Sequence, residues 1–307
     1  MTNKIVHVIP KNTDPSGGIK VHFQLSELER ELGYDSCVAV PNEFAIPTWF
    51  KHNTIVKSWG SVWNQLEQDN DVLVVGWEDI DELRRFKAQY LVSYVQGEVF
   101  FNKGADYTGI QFWVSSEWNQ NKIGHPGYRV TPFIDRLVFY PDKIIEKFQL
   151  GKINMLVQER KAGRDRWEAV NFYLPSEVRK IMSVKFLEDV SEDEFAKQIR
   201  LADIFFAHSY PEGLSLPPLE AFASNTLVVG YTGGGGTDYM QNGINSMICA
   251  DGDAQNLATV LSRILSKFDR KFMMDIIYRA SKTVDSYNKE NTKNQLKLAI
   301  DKTLGLI

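Results

Sequence analysis

One stretch around residue 210 constrains the fold of this chain more than any other. An apolar run at 204–206 is typical of a buried parallel strand, and a turn rich in Gly, Pro and Ser follows it. The chain then enters a predicted helix whose first turn contains Pro217 and Pro218, which is where the helix backbone has N–H groups without partners. Strand, loop and helix in this order predict an α/β domain that binds a ligand at the carboxyl end of the strand.

Two carboxylates flank the start of this predicted helix. Glu212 lies in the loop, and Glu220 lies about one turn inside the helix on the same face as Leu216. The helix N-terminus between them, with Ser215 as candidate N-cap, carries partial positive charge and suits a phosphate. Because carboxylates accept hydrogen bonds from sugar hydroxyls, we expect a nucleotide-sugar here, with its sugar on Glu212 and its ribose on Glu220. The alternative is that Glu220 only favours the helix dipole and Glu212 is a solvated loop acid.

The same segment resembles a known family. Seven residues separate Glu212 from Glu220, and EGLSLPPLEAFAS, between LADIFFAHSYP and TLVVGYTGGGGTDYMQNG, is similar to the E-x7-E segment of retaining GT-B glycosyltransferases of glycosyltransferase family four, also called group 1. The resemblance implies the GT-B fold, in which two doubly wound Rossmann-like domains face each other across a cleft. It also implies sugar transfer with retention and without a metal, the departing phosphate deprotonating the acceptor hydroxyl.

Site residues follow from this resemblance. Arg160 and Lys161 come directly after an apolar run, where the family uses an Arg and a Lys for the donor diphosphate; a planar fork and a compact charge suit that anion. Arg164 and Arg166 compete for this role, and a solvated basic loop is the alternative. The remaining assignments are Gly17, Gly18, Ser215 and Leu216 to the diphosphate, Glu212, Gly213 and Leu214 to the donor sugar, and Glu220 to the ribose.

Gln96 follows a predicted strand at 90–95, near the place where many family members carry a histidine that touches the transferred sugar. The segment is similar to the V-Q-x-x-E variant of a rhamnosyltransferase-like subset, although Glu98 departs from its spacing. A glutamine does not titrate near neutral pH but both donates and accepts hydrogen bonds, so we expect Gln96 to join Glu212 as a catalytic residue. The alternative is a loop residue bonded to the backbone.

The N-terminal half begins with a strand at 4–9, a loop containing Gly17 and Gly18, and an amphipathic helix. This is the opening of a doubly wound domain, and the two glycines permit close approach of a ligand; on their own they are equally consistent with a flexible turn. A chain of 307 residues predicts two domains. Because prolines bound an apparently extended linker at 131–141, we place domains at 1–135 and 136–287, with a last helix at 288–307 packing back on the first.

Composition excludes several classes of function. The net charge of −4 argues against nucleic acid as the main partner. No signal peptide or membrane span is recognisable, so we expect a cytoplasmic protein, and membrane association stays open as the less favoured alternative. Two distant cysteines do not form a disulfide framework. We expect neither cofactor nor metal, and we interpret the D-x-D pairs Asp79–Asp81 and Asp251–Asp253 as helix N-caps.

Together these patterns predict a hexosyl- or deoxyhexosyltransferase of polysaccharide biosynthesis. It would move a sugar from a nucleotide-diphosphate-sugar to a saccharide or other hydroxyl acceptor. Two alternatives stay open: an inactive module that binds nucleotide-sugars, and a GT-B nucleotide-sugar epimerase. The sequence does not specify the nucleobase, the sugar, the acceptor or the oligomeric state.

Overall fold

The computed structural model describes residues 4–10, 15–42, 46–63, 71–76, 88–97, 106–142, 146–149, 152–267 and 269–307. Contacts between residues divide the chain into two compact units. Unit 1 consists of Met1–Pro132 and Lys289–Ile307, and unit 2 is the continuous segment Phe133–Asn288.

Unit 1 is a parallel sheet with helices. Its strands are β1 (Lys4–Val8), β2 (Asp35–Val40), β3 (Val56–Ser58), β4 (Val72–Gly76), β5 (Tyr90–Val95), β6 (Ile110–Val114) and β7 (Tyr128–Arg129). Its described helices are α1 (Gly17–Glu31), α2 (Trp59–Trp63), α3 (Glu117–Ile123) and, near the end of the chain, α10 (Lys289–Thr303). The strand order is β3-β2-β1-β4-β5-β6-β7, which is the doubly wound order of a dinucleotide-binding sheet.

Unit 2 repeats the architecture with five parallel strands. These are β8 (Ile153–Gln158), β9 (Met182–Leu187), β10 (Ile204–Ala207), β11 (Leu227–Tyr231) and β12 (Met247–Cys249). Its helices are α4 (Gly163–Tyr173), α5 (Ser176–Ile181), α6 (Glu192–Leu201), α7 (Leu216–Ala223), α8 (Ala254–Ser266) and α9 (Arg270–Thr283). The strand order is β12-β11-β10-β8-β9, so β9 is added on one side of β8 and β10 on the other. Ligands of such sheets bind at the carboxyl ends of the strands beside this switch point, between β8 and β10.

The central strands are almost wholly apolar, which explains why the sequence identified them. All residues of β10 and β11 are buried, as parallel strands covered by helices on both faces must be. The large buried side chains of unit 2, including Trp167 and Phe206, lie between this sheet and its helices. The strands therefore form a rigid sheet, and the loops at its carboxyl edge carry the candidate site residues.

Helix α10 packs against the strand ends of unit 1. Thr292 donates a hydrogen bond of 2.7 Å to the carbonyl of Thr131, and the indole of Trp113 donates one of 3.2 Å to Thr303. These bonds tie the last helix to the first segment of the chain. Within the described ranges, none of the helices is both long enough and apolar enough to cross a membrane.

Local predictions outside the main site have mixed outcomes. Asp253 caps α8 by accepting a bond of 3.0 Å from the backbone of Asn256, as expected. The linker is not extended throughout, because Val138 and Phe139 donate to the carbonyl of Asp135 in a turn that the Asp135 side chain stabilises. The D-x-D pair 79–81 lies outside the residues that the structure describes.

Candidate functional site

The loop between β10 and α7 carries Glu212 at the carboxyl edge of the unit 2 sheet. Its Oε1 lies 2.7 Å from Nζ of Lys161, which comes from the loop after β8. The Glu212 side chain is 21 % exposed and that of Lys161 is 47 % exposed. The edge therefore holds an acceptor suited to hydroxyls and a cation suited to phosphate in direct contact. Since both reach solvent, either group can exchange its partner for a ligand at little cost.

Helix α7 begins directly after this loop. Ser215 occupies the N-cap position, but its φ of 64° lies outside the extended region that capping residues adopt. Its side chain accordingly makes no capping hydrogen bond among the described residues, so the expected role of its hydroxyl as a cap is wrong. The Ser215 carbonyl instead accepts a bond of 2.6 Å from Tyr239, which fixes the loop. Pro217 and Pro218 have no N–H, so Leu216 alone provides an N–H among the first three residues of α7, and an N–H at a helix start favours anions.

The two acids of the motif differ in exposure. Glu220 is 5 % exposed and lies on the buried face of α7 together with Leu216, which is 8 % exposed. Gly213 and Leu214, between Glu212 and the helix, are buried as well. Glu212 is thus the accessible acid at the start of the segment, and Glu220 is anchored inside the helix.

The glycine-rich loop after β11 holds the backbone of Glu212. The Glu212 N–H donates to the carbonyl of Gly233 at 2.7 Å, and the N–H of Gly235 donates to the Glu212 carbonyl at 2.9 Å. A Cβ atom on Gly235 would lie 1.9 Å from the carbonyl oxygen of Gly213, so only glycine fits there. Asp251 in turn accepts a bond of 2.9 Å from the N–H of Gly233. This loop supports the site structurally, as its sequence suggests.

Among the four basic residues after β8, Arg164 is committed to neighbours of its own. Its Nε donates to Glu159 Oε2 at 3.1 Å, and its guanidinium lies 3.9 Å from the ring centroid of Phe186. Hydrogen bonding by Arg164 also lowers the pKa of the Glu159 carboxyl. Arg160, by contrast, is exposed and pairs with none of the residues that the structure describes. The geometry therefore favours Arg160 over Arg164 as a ligand for an anion, while Lys161 lies directly beside Glu212.

Arg166 holds the loop of Glu212 through hydrogen bonds to its backbone. Its guanidinium donates to the carbonyls of His208, at 2.5 Å, and Tyr210, at 3.3 Å. The start of α4 packs equally closely, since a Cβ atom on Gly163 would lie 1.8 Å from the carbonyl oxygen of Gln158 and 2.7 Å from His208 Nε2. Arg166 and Gly163 thus fix the loop. The Arg166 guanidinium is occupied by the two loop carbonyls, and Gly163 packs against the backbone.

His208 is a buried residue of this edge that the sequence analysis did not identify. It is 3 % exposed, and burial lowers its pKa to about 4, so the imidazole is neutral near pH 7. It hydrogen-bonds the backbone of Gln158, while Nδ1 is buried without a partner among the described residues. His208 lines a pocket together with Ser215, Pro217 and Tyr231. A histidine directly after the apolar run of β10 was the only sequence signal for it.

The unit 1 sheet brings two further predicted residues together. A Cβ atom on Gly18 would lie 3.3 Å from Oε1 of Gln96, so the amide of Gln96 packs against the first turn of α1. Gly17 opens this helix and is exposed. The amide of Gln96 thus lies beside the start of α1. In the described part of the chain, neither unit contains a group of three or more His, Cys, Asp or Glu residues arranged to hold a metal.

Comparisons with known proteins bear on the family and the fold. Residues 162–283 match the family model described as glycosyl transferases group 1. The matched segment contains Glu212 and Glu220, whereas Arg160, Lys161 and the described part of unit 1 lie outside it. No curated protein sequence matches the chain significantly.

Solved structures match the whole chain. A glycosyltransferase from Rickettsia africae has a TM-score of 0.74 at 12% identity, covering 99% of both chains. The Anabaena protein HepE, in complex with UDP-glucose, has a TM-score of 0.72 at 12% identity, covering 99% of this chain and 100% of that one. The pneumococcal O-GlcNAc transferase GtfA, in complex with UDP and GlcNAc, has a TM-score of 0.71 at 10% identity, covering 99% of both. At such low identity these likenesses show the fold alone.

The two parallel sheets with their helices have the GT-B fold of these glycosyltransferases, as the sequence predicts. The segment 162–283, which contains Glu212 and Glu220, is in addition similar to the group 1 glycosyltransferases.

Proposed function

We propose that this protein transfers a sugar from a nucleoside-diphosphate-sugar to a saccharide or other hydroxyl acceptor with retention of configuration. The observation that supports this most is the contact of Lys161 with Glu212 at the start of α7, inside the loop that the glycine-rich segment holds. A cation, a helix start and an accessible carboxylate in contact suit the diphosphate and the hydroxyls of one ligand.

Each residue of unit 2 has a distinct role in the proposed reaction. Arg160, Lys161 and the first N–H groups of α7, at Ser215 and Leu216, stabilise the negative charge that grows on the leaving diphosphate, and they replace a metal in this. Glu212 with Gly213 and Leu214 holds the transferred sugar, and Glu220 holds the ribose. Because these groups are preorganised by the loop contacts described above, they require little rearrangement as the charge develops.

The residues of unit 1 keep the roles that the family resemblance gives them. Gly17 and Gly18 offer backbone N–H groups to the diphosphate. Gln96 takes the place of the family's histidine and hydrogen-bonds the sugar. Because its amide does not titrate near neutral pH, it does not transfer a proton. The departing phosphate then accepts the proton of the acceptor hydroxyl.

For the donor we propose a UDP-sugar. The support is that HepE and GtfA, which share the fold, were solved with UDP-glucose and with UDP and GlcNAc. A hexose fits these neighbours, and Gln96 would favour a deoxyhexose if it marks the rhamnosyltransferase-like subset. We further propose that the acceptor is a growing saccharide.

A thermal-shift panel of UDP-, GDP-, ADP-, CMP- and dTDP-sugars tests the donor. A ligand at a hundred times its dissociation constant stabilises the folded state by about 2.7 kcal/mol, so we expect a clear shift with UDP-sugars only. Glu212→Ala should abolish turnover without unfolding the chain. Asp275→Ala is the matched control, since it removes an exposed, ion-paired acid of unit 2 on α9.

The same assays separate the alternatives. A donor that binds but is neither hydrolysed nor transferred would indicate an inactive binding module. Interconversion of the sugar without an acceptor would indicate an epimerase. Full turnover by Glu212→Ala would remove the site assignment altogether.

A further inference from the structure

A chain of buried polar side chains lies between α1 and the sheet of unit 1. His7 on β1 hydrogen-bonds two residues of α1: its Nδ1 lies 3.0 Å from His22 Nδ1, and its Nε2 lies 2.9 Å from Glu29 Oε2. Ser36 on β2 lies 2.6 Å from the same carboxylate oxygen. All four side chains are at most 2 % exposed. The proposed function uses none of them, and we call His22, His7 and Glu29 the histidine chain.

Apolar side chains of similar volume could fill the space that the histidine chain occupies. Burying a carboxylate and two imidazoles costs free energy that well-packed apolar residues of similar volume would not cost. What such groups add is direction, because hydrogen bonds have preferred distances and angles whereas apolar contacts do not. His7 binds α1 at two points, His22 and Glu29, which lie about two turns apart along the helix. These bonds fix both the rotation and the axial position of α1 on the sheet.

The positions of the protons follow from the bonding partners. The carboxylate of Glu29 only accepts, so His7 Nε2 and the hydroxyl of Ser36 donate to it. The Nδ1 atoms of His7 and His22 lie 3.0 Å apart, so one of the two rings donates to the other at this contact. We take His22 as a neutral ring.

Burial agrees with this assignment for His22. Desolvation and the neighbouring charge of His7 lower the pKa of His22 well below its ordinary value. The titratable groups that face His22 are His7 from β1 and Tyr94 from β5, while Glu29 acts through His7 and β4 contributes Gly76. Desolvation also raises the pKa of Tyr94, so this phenol is neutral too. His22 thus keeps one tautomer over the pH range of normal activity assays.

The histidine chain ends at the carboxyl edge of the sheet. His22 Nε2 lies 3.8 Å from the position of a Cβ atom on Gly76, the last residue of β4, and its ring meets Tyr94 edge-on with centroids 5.7 Å apart. One turn away on α1 is Gly18, against which the amide of Gln96 packs. A shift of α1 along the sheet would therefore change the spacing of Gly18 and Gln96 directly.

We infer that the histidine chain is a positioning device, which fixes α1 on β1 so that Gly18 and Gln96 keep the spacing that the ligand requires. His7 and His22 are positioning residues in this role, since they act through Gly18 and Gln96. The inference rests on the proposed function, in which this edge of unit 1 takes part in binding the nucleotide-sugar.

The main test replaces the histidine chain by apolar residues. The triple variant His7→Leu/His22→Leu/Glu29→Leu should fold with an unfolding temperature equal to or above that of the wild type, because buried ion pairs are often replaced without loss of stability. We expect kcat to fall ten- to a hundredfold, as misplacement by about an ångström commonly causes. Thr292→Val is the control, since it removes a buried hydrogen bond of unit 1 on α10. It should lower stability and leave kcat unchanged.

Two further measurements cover the other outcomes. His22→Phe keeps the ring contact with Tyr94 but removes the bond to His7, and it serves if the triple variant does not fold; we expect the same fall in kcat. Nitrogen-15 NMR of the histidine rings should show His22 neutral and a hydrogen bond between the Nδ1 atoms of His7 and His22, independently of any substrate.

The outcomes separate the two proposals. If the wild type neither binds nor turns over a nucleotide-sugar, the proposed function fails while the NMR experiment still decides the proton positions. If the wild type is active and folded variants of the histidine chain retain its kcat, the positioning role is overturned. A spectrum without the hydrogen bond between His7 and His22 would overturn it as well.

Discussion

The carboxyl edges of the two sheets use different chemistry on the same architecture. In unit 2 the charged groups reach solvent, where Lys161 and Glu212 form an accessible ion pair. In unit 1 the edge carries glycines and the amide of Gln96, and the polar pair of that unit, His7 hydrogen-bonded to Glu29, is completely buried. An exposed pair can exchange partners with a ligand, whereas a buried pair cannot. For the proposed function, this difference assigns binding energy to unit 2 and fixed geometry to unit 1.

The carboxyl edge of unit 2 should tolerate an added methyl group less well than that of unit 1, because its backbone packs more closely. Gly163→Ala would place a Cβ atom 1.8 Å from the carbonyl oxygen of Gln158, so the start of α4 must move. We expect the free energy of unfolding to fall by about 4 kcal/mol or more, measured by urea denaturation. Gly60→Ala in α2 is the control, because no atom lies within 4 Å of its added Cβ. Equal stability of both variants would contradict the close packing described here.

Acid should weaken unit 2 through His208. Its folded pKa of about 4 lies below the ordinary value of 6.5, so between these values the unfolded chain binds more protons. The free energy of unfolding should therefore fall as the pH falls from 6.5 to 4, by about 3 kcal/mol in total, and stay unaffected by His208 above that window. His22 acts in the same direction in unit 1.

Urea denaturation from pH 7 to pH 4 checks this expectation. His208→Phe should flatten the dependence and leave the part due to other groups with lowered pKa values, such as His22 and His52. A variant with the full dependence of the wild type would show that His208 is already charged in the folded state.

Substitutions of the basic residues after β8 test the comparison through the binding of UDP. Arg160→Ala and Lys161→Ala should each raise the dissociation constant for UDP by ten- to a hundredfold, since a hydrogen bond to a charged group contributes about 1.5–3 kcal/mol. Arg164→Ala is the matched control and should change it less than about threefold, because its exposed bond to Glu159 contributes little. Titration calorimetry measures all three. A loss at Arg164 as large as that at Arg160 would reverse the assignment.

The smallest change in stability is expected at the edge of unit 1. Gly18→Ala would place its methyl group 3.3 Å from Oε1 of Gln96, which is the end of a flexible side chain and can move aside. Alanine also favours the helix by up to about 1 kcal/mol over glycine, so the unfolding temperature should stay the same or rise. Turnover should nevertheless fall, because Gln96 is displaced. A strongly destabilised variant would show that this edge is packed as tightly as that of unit 2.

Much of the fold was predictable because parallel strands carry their own signal. The apolar run at 204–206 corresponds to Ile204–Ala207, and 90–95 corresponds to Tyr90–Val95. The position of Ser215 at the start of α7 was predictable too, since the prolines mark the first turn. Its conformation was not, because the surrounding loops, including the bond from Tyr239, determine its φ angle.

The sequence left the basic residues after β8 as competing candidates for a different reason. Arg160, Arg164 and Arg166 have the same local character, and only the three-dimensional positions of their partners distinguish them. The histidine chain is the extreme case. His7, His22 and Glu29 lie on a strand and a helix with no motif connecting them, and their contact depends on the register of α1 on β1. Local patterns predict elements well, but they do not predict which buried polar groups meet.

Unit 1 is made of two pieces of chain, and its helix α10 begins only after unit 2 has ended. During synthesis on the ribosome, unit 2 has its complete sequence before α10 exists, because α10 is the last helix to emerge. The bonds from Thr292 to Thr131 and from Trp113 to Thr303 can therefore form only after unit 2 has been translated. The nascent protein should thus be able to fold unit 2 before unit 1 is complete.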